Sequence, residues 1–232
     1  AAGMDMQKAE DGWATWLKTY TWKEPYKGLG HVVFPALFAH QYTMLYLDMR
    51  GWVDPYMKSK GSDYFENSRR ATYSQWNYAL ENPEGWEGYD SLSWGWSAGD
   101  GPGEKFNTLT KKFLGYAARG NAGKDSVMYE DGTIVPTAAG GSIPFAPEIT
   151  IPALIEMKKR YESIGVWGKY GFKDSFNPTL KWANADYLGL DQGPIVIMIE
   201  NYYNGFVWKY FMKDPIVEKG LKRLGFEKTN MK

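Results

Sequence analysis

An all-α fold in a single domain spanning residues 1–232 is what this sequence predicts. Apolar residues recur at three-to-four spacing through most of the long segments, the period of a helix with one buried face. Strand signals are weak, Thr133-Ile134-Val135 being the best short candidate. Helix punctuation also stands where those segments begin and end, as Asp/Ser caps, prolines and a terminal glycine.

The elements follow in order. Residues 9–20 place Trp13, Trp16, Leu17 and Tyr20 on one helical face, and residues 35–49 do the same with Leu37, Phe38, Gln41, Leu45 and Asp48. A long polar-rich helix over 63–81 opens on Ser62 or Asp63, whose side chains can accept from the first free N–H groups. It closes near Asn82-Pro83. Residues 148–163 follow Pro147 and carry Ile151, Leu154, Ile155, Lys158 and Tyr161. An apolar helix over 194–212 is interrupted at Asn204-Gly205. Pro194 is expected at its first position, where a missing N–H costs no bond. A last amphipathic helix over 214–224 is capped by Asp214-Pro215 and ended by Gly225. Long glycine-rich connections, 84–103, 119–147 and 164–190, lie between these helices, and such loops in a compact domain are usually functional.

Composition removes several function classes. Lysine plus arginine balance aspartate plus glutamate at 27 each, so no global field draws nucleic acid or an anionic membrane. Cysteine is absent, which excludes disulfides and thiolate chemistry. No apolar stretch approaches the ~20 residues of a membrane span. Two histidines, His31 and His40, lack neighbours at metal-ligand spacing, so neither a metal nor another cofactor is expected. Gly101-Pro102-Gly103 lacks the Lys-Ser/Thr tail of a phosphate loop, and no serine has nucleophile-elbow context. The aromatic content points the other way. With 11 Trp and 17 Tyr, many beside Gly, Asp and Asn in loops, the chain is rich in rings that stack on a pyranose face while a polar edge binds hydroxyls. Carbohydrate is the ligand class this composition favours.

Carboxylates are the best candidates for chemistry. Asp191-Gln192 sits on the loop Gly189 to Pro194, immediately before Ile195-Val196-Ile197-Met198-Ile199. A charge held against an apolar element is a capping or paired group, or a catalytic one. Asp100 lies in an aromatic loop, Ser93-Trp94-Gly95-Trp96 through Gly101-Pro102, with no partner nearby in sequence. Asp63 and Glu66, followed by Arg69 and Arg70, read as a capping box with ion pairing. Asp48 and Arg50 read as a structural ion pair, and Glu148 as a first-turn residue favoured by the helix dipole.

Several blocks together resemble one family: Leu37 to Tyr42, Asp63 to Thr72, Trp94-Gly95 through Pro102, Asp131 to Ala139, Ser142 to Phe145, Trp167 to Phe172, and Gly189 to Asn201. In order and spacing they are similar to the bacterial glucoamylase-like domain, best represented by the endo-β-1,2-glucanases. Phe34-Pro35-Ala36, Met44 and Gly99 depart from its pattern. The resemblance implies an (α/α)6 toroid whose helix-connecting loops form a sugar cleft, and inverting hydrolysis of a β-glucan, β-1,2-glucan foremost, without a metal. It implies that Asp191 is the general base. The matching acid of the family is a glutamate upstream of the matched segment, so the chain reads as the C-terminal half of a barrel whose N-terminal half is a partner. A large exposed apolar face around Ile195 to Trp208 is expected to meet that half. The expected sugar-contacting residues are His40, Gln41, Tyr64, Glu66, Asn67, Arg69, Trp94, Trp96, Trp167, Tyr170, Gln192 and Asn201. Seven of them, Trp94, Trp96, Trp167, Tyr170, His40, Gln41 and Arg69, are expected to converge with Asp100 on one concave face. The substrate class implies a periplasmic or extracellular location. Two other readings stay open: a carbohydrate-binding or structural half-domain, and a transglycosylase acting on β-1,2-glucan.

Overall fold

A computed structural model describes residues 3–103, 113–123 and 125–229. Among these residues nine α-helices follow one another: α1 (Met6–Leu17), α2 (Phe38–Gln41), α3 (Pro55–Ser59), α4 (Tyr64–Glu81), α5 (Pro136–Gly140), α6 (Pro147–Arg160), α7 (Gly189–Asn204), α8 (Phe206–Phe211) and α9 (Pro215–Arg223). Helices dominate, as expected, but the fold is not purely helical. The connections carry six antiparallel pairs of very short strands. Three of them matter for the site: Ala98–Gly99 with Ala117–Ala118, Trp167–Gly168 with Gly171–Phe172, and Phe176–Asn177 with Trp182–Ala183. Such fragments satisfy backbone groups that loops bury near the core, where an unpaired N–H or C=O is costly. The strand expected over Thr133-Ile134-Val135 is reduced to one bridge, Ile134 to Phe176.

α4 organises the molecule. Asp63 caps it, its Oδ1 accepting from Glu66 N at 2.7 Å, and Asn82 ends it in the left-handed region at φ +39°. Its first turn packs Tyr64 and Phe65 against a cluster containing Met44, Trp52, Phe145, Met198, Trp208 and Phe226. Its later turns place Ala71, Tyr78 and Ala79 in a second cluster with Trp94, Trp96, Ile134, Phe172 and Phe176. The Asp48–Arg50 pair forms at 2.6 Å, and Glu148 stands in the first turn of α6, accepting from the Tyr73 hydroxyl.

Two helices depart from expectation. The helix expected over 35–49 shrinks to α2 and a 3₁₀ turn at Thr43–Leu45. The carbonyls of Met44 and Leu45 are taken instead by Trp208 Nε1 at 2.6 Å and Asn201 Nδ2 at 3.0 Å. α7 begins at Gly189, so Pro194 lies inside the helix rather than at its first position. Asp191 N and Gln192 N both bond Leu188 O at 3.0 Å, closing the turn before the proline, which then forgoes a single bond. The break at Gly205, φ +66°, separates α7 from α8 as expected. α5, not expected, packs against both α6 and α7, with Pro136 in its first turn.

Candidate active site

α7 presents Asp191 from its first turn, and α5 anchors that turn from below: Thr137 Oγ1 donates to Asp191 O at 3.1 Å. The side chain is 4% exposed. An N-terminal helix position favours a negative charge by only ~0.3–1 kcal/mol. Burial, reinforced by the neighbouring carboxyls of Asp174 and Asp100, outweighs it and pushes Asp191 up to about 8. Tyr42 is near enough to feel this carboxyl, whose charge helps hold the Tyr42 phenol above its ordinary value after burial has done most of that work.

Asp174 follows the hairpin Trp167–Phe172 and is 1% exposed. Its two oxygens differ. Oδ2 accepts from Asp100 N at 2.7 Å, Asn184 Nδ2 at 3.2 Å and Ser175 Oγ at 3.3 Å. Oδ1 receives no donor among the described residues, and neither does Asp191 Oδ2. The Asp174 carboxyl acts on Asp191 by its charge, adding to the burial that raises it. Asn184 Nδ2 also reaches Asp100 Oδ2 at 2.9 Å, so one amide holds two carboxylates in register. Behind them Arg119 forms a fully buried bidentate pair with Asp131, 2.9 Å on each arm, and clamps Gly99 O at 2.8 Å. This fixes the strand that delivers Asp100.

One wall beside the carboxylates is aromatic. Trp167 and Tyr170, 40% and 62% exposed, stand on the hairpin that precedes Asp174. Phe172 packs edge-on against Trp167 at 4.9 Å and Tyr187 against Tyr170 at 5.4 Å. Gln192 Nε2 donates to Phe172 O, tying α7 to the hairpin. Gly171 adopts φ +101°, and a Cβ there would meet Gln192 Oε1 at 3.1 Å, so the close approach depends on glycine. Asp191, Asp100, Gln192, Trp167 and Tyr170 are thus brought to one region.

The other expected residues are not gathered there, and the single concave face is corrected accordingly. Trp94 and Trp96 are wholly buried; Trp96 Nε1 donates to Tyr89 at 2.9 Å and its backbone is held by Gln75. They build the core because the loop turns both rings inward, against Ala138, Tyr78 and Tyr89. Gln41 is buried too, donating to Ala138 O and Ser142 Oγ at 2.8 Å, and supports α5 rather than a sugar. Asn201 bridges Leu45 O and Trp208 N. Glu66 pairs with Arg70 at 2.9 Å and Arg69 at 3.5 Å, while Arg69 lies over the Tyr73 ring. His40, Tyr64 and Asn67 line a different, mostly apolar cavity of about 590 Å³ with Trp13, Trp16 and Met44. There His40 stacks edge-on against His31 at 6.0 Å, and Tyr64 donates to Asp54 at 2.9 Å. The residues missed were Asp174 and Asn184. Each stands in an ordinary polar loop, and their partners lie up to 84 residues away. No group of three or more acidic or histidine side chains suited to a metal ion occurs among the described residues.

Comparison with known proteins gives one family. Residues 1–215 match the family model Glycoamylase, described as "Putative glucoamylase". A protein of Parabacteroides distasonis named exo beta-1,2-glucooligosaccharide sophorohydrolase (non-reducing end) is 32% identical over 225 residues, which is 95% of this chain and 28% of that protein. The endo-beta-1,2-glucanase of Chitinophaga pinensis, solved with sophorotriose and glucose, superposes with a TM-score of 0.80 at 33% identity, covering 97% of this chain and 50% of that one. A beta-1,2-glucanase from Parabacteroides distasonis superposes with a TM-score of 0.74 at 30% identity, covering 94% of this chain and 30% of that one. The chain therefore spans between about a quarter and a half of the length of these relatives.

Proposed function

Because this chain belongs to the Glycoamylase family, we propose that it supplies one catalytic carboxyl group and part of the sugar cleft of a glycoside hydrolase that cuts β-1,2-glucan with inversion. The observation that carries this reading is Asp191, a buried carboxyl with an oxygen that no donor satisfies among the described residues, placed next to an exposed Trp-Tyr hairpin. A carboxyl in that setting is costly to stability and suited to moving a proton.

Asp191 is the general base. It takes a proton from a water molecule as the water oxygen bonds to the anomeric carbon. The glycosidic bond breaks on the opposite face, and its oxygen takes a proton from the acid across the cleft. In an inverting pair the two carboxyls stand ~6.5–9.5 Å apart to admit that water. Trp167 and Tyr170 stack on glucose rings, and Gln192 and Asp100 bind hydroxyls or hold the site in shape. The acid belongs to the remainder of an (α/α)6 toroid, of which this chain forms about half. Val196, Ile199, Tyr203, Phe206 and Tyr210, on α7 and α8, leave an apolar surface of the kind that marks an interface, and the remainder packs there. No helix among the described residues is long and apolar enough to cross a membrane. A polymeric glucan substrate fits work in the periplasm or outside the cell.

The reading is tested with the natural full-length protein. It should release reducing sugar from β-1,2-glucan, with the anomer of the new end inverted by NMR. Retention of configuration, or no cleavage of any β-glucan, overturns it.

A further inference from the structure

We propose that Asp100 is a substrate-binding carboxylate that takes a glucose hydroxyl on one oxygen, and that Asn184 is the positioning residue that aims it. Both roles rest on the sugar cleft proposed above.

Asp100 is pinned through its backbone first. Its N–H donates to Asp174 Oδ2 at 2.7 Å, and its carbonyl accepts from Ser175 Oγ at 2.7 Å and Arg119 Nη1 at 3.4 Å. With the backbone held from three sides, only the side-chain torsions remain to be set. Asn184 Nδ2 sets them by donating to Asp100 Oδ2 at 2.9 Å. The side chain is half-buried, and its other oxygen, Oδ1, receives no donor among the described residues. Unlike the orphaned oxygens of Asp174 and Asp191, it is not sealed from solvent. One oxygen is clamped and its twin is left open.

Asn184 is built for that clamp. It follows the strand Trp182–Ala183, which pairs with Phe176–Asn177, and its backbone N–H donates to Ser175 O at 2.9 Å. The side chain is buried, at 8% exposure. Its amide nitrogen carries two hydrogens, and two carboxylate oxygens stand in reach of it, Asp100 Oδ2 at 2.9 Å and Asp174 Oδ2 at 3.2 Å. The amide oxygen accepts from Asp186 N at 3.4 Å. Turned over, the amide would set that oxygen against both carboxylates. With both hydrogens committed, Asn184 has no donor left for a sugar and acts through Asp100.

The open oxygen selects its ligand by its chemistry. A carboxylate oxygen only accepts, and the donors a glucan offers are the hydroxyls around its ring edges. The Trp167–Phe172 hairpin ends two residues before Asp174, which bonds Asp100 N, and it supplies the stacking surface for ring faces. An acceptor held beside such a surface fixes the rotation of a ring as well as its plane.

A double-mutant cycle in the natural full-length protein tests both roles. Calorimetry reads Kd for a β-1,2-linked glucooligosaccharide, and steady-state assay reads kcat and KM on β-1,2-glucan. Asp100→Ala should raise Kd and KM roughly ten- to a hundredfold, the range of a hydrogen bond to a charged acceptor. Its kcat should change little, the mark of lost uniform binding. Asn184→Ala should raise Kd about tenfold, and the double variant should bind no more weakly than Asp100→Ala, because residues that act as one unit are not additive. Where Asn184→Ala does not fold, Asn184→Ser takes its place in the cycle with the same expected sign. Effects that multiply, or a fall in Tm for the Asn184 variant with Kd unchanged, overturn the positioning role. Asp100→Ala that binds like a parent active on β-1,2-glucan, or that loses kcat with Kd unchanged, overturns the hydroxyl site. A parent that binds the oligosaccharide through Asp100 but cleaves no β-glucan leaves this site standing and sinks the hydrolase reading alone.

Discussion

Arg119–Asp131 and Asp174–Asp191 are both buried ionisable pairs, tied into the same strand and loop network, yet one is compensated and the other is not. Arg119 meets Asp131 through two arms and four backbone carbonyls, and Asp131 also accepts from Thr133 N and Leu114 N. Every charge there has an opposite charge or a dipole. Asp174 sets its charge against Asp191, and burial is the leading cause that raises both. The first pair holds the strand that carries Asp100 in place. The second stores a mismatch of the kind that the proposed general base requires. A compensated pair gives shape, and the uncompensated one beside it is where the proposed reactivity sits.

The largest effect expected from breaking this contrast is catalytic. Asp191→Asn removes the charge that accepts a proton while keeping the volume, and turnover of β-1,2-glucan by the natural full-length protein should fall by ~10²–10⁴-fold. Steady-state assay of released reducing ends measures it, and an unchanged kcat would return Asp191 to a structural role and pass the candidacy to Asp100.

Breaking the compensated pair should instead cost stability. Asp131→Asn leaves the Arg119 charge buried and unmatched, a loss of ~3–5 kcal/mol. In a domain of this size each kcal/mol moves Tm by roughly 2–4 °C. A thermal melt that barely shifts would show that the Arg119 carbonyl contacts suffice alone.

The aromatic wall can be tested apart from either pair. Trp167→Ala should weaken binding of a β-1,2-linked glucooligosaccharide about tenfold, equivalent to ~1.4 kcal/mol, with Tm nearly unchanged because the ring is partly exposed. Calorimetry reads the affinity, and equal affinity in parent and variant would remove Trp167 from the cleft.

The smallest effects are in the pH dependence of stability, where two buried pairs act with opposite sign. Asp191 is raised from 3.8 to about 8, so the folded chain keeps a proton that the unfolded chain releases. Its contribution is whole below pH 4 and is lost as pH rises toward 8. Asp191→Asn should therefore melt a few degrees higher than the parent at pH 8 and converge with it near pH 4. His40, beside His31, is lowered from 6.5 to about 3 by burial, so the unfolded chain takes up the proton first. Stability from that pair is whole above pH 6.5 and declines as pH falls. A Tm that stays flat between pH 6.5 and 5 would contradict a neutral buried histidine pair.

Residue order already announces the helices, because a 3.6-residue apolar period, an Asp63 or Asp214 cap and a Gly205 break act within one or two turns. Asp191 stands out as a candidate for a similarly local reason: a carboxylate set directly against an apolar helix is a capping or paired group, or a catalytic one. Long-range contacts settled the rest. Whether Trp94 and Trp96 face a sugar or the core depends on Tyr78, Tyr89 and Gln75, and the loop around them reads alike in both cases. The helix expected over 35–49 gives way where Asn201 and Trp208, far along the chain, claim the carbonyls of Leu45 and Met44. Asp174 is silent in one dimension because nothing in its loop marks it, and its character comes from Asp100, Asn184 and Asp191 meeting it in space. Periodicity and capping are local energies and are written into neighbouring residues. The burial of a charge and the identity of its partner are properties of the packed chain.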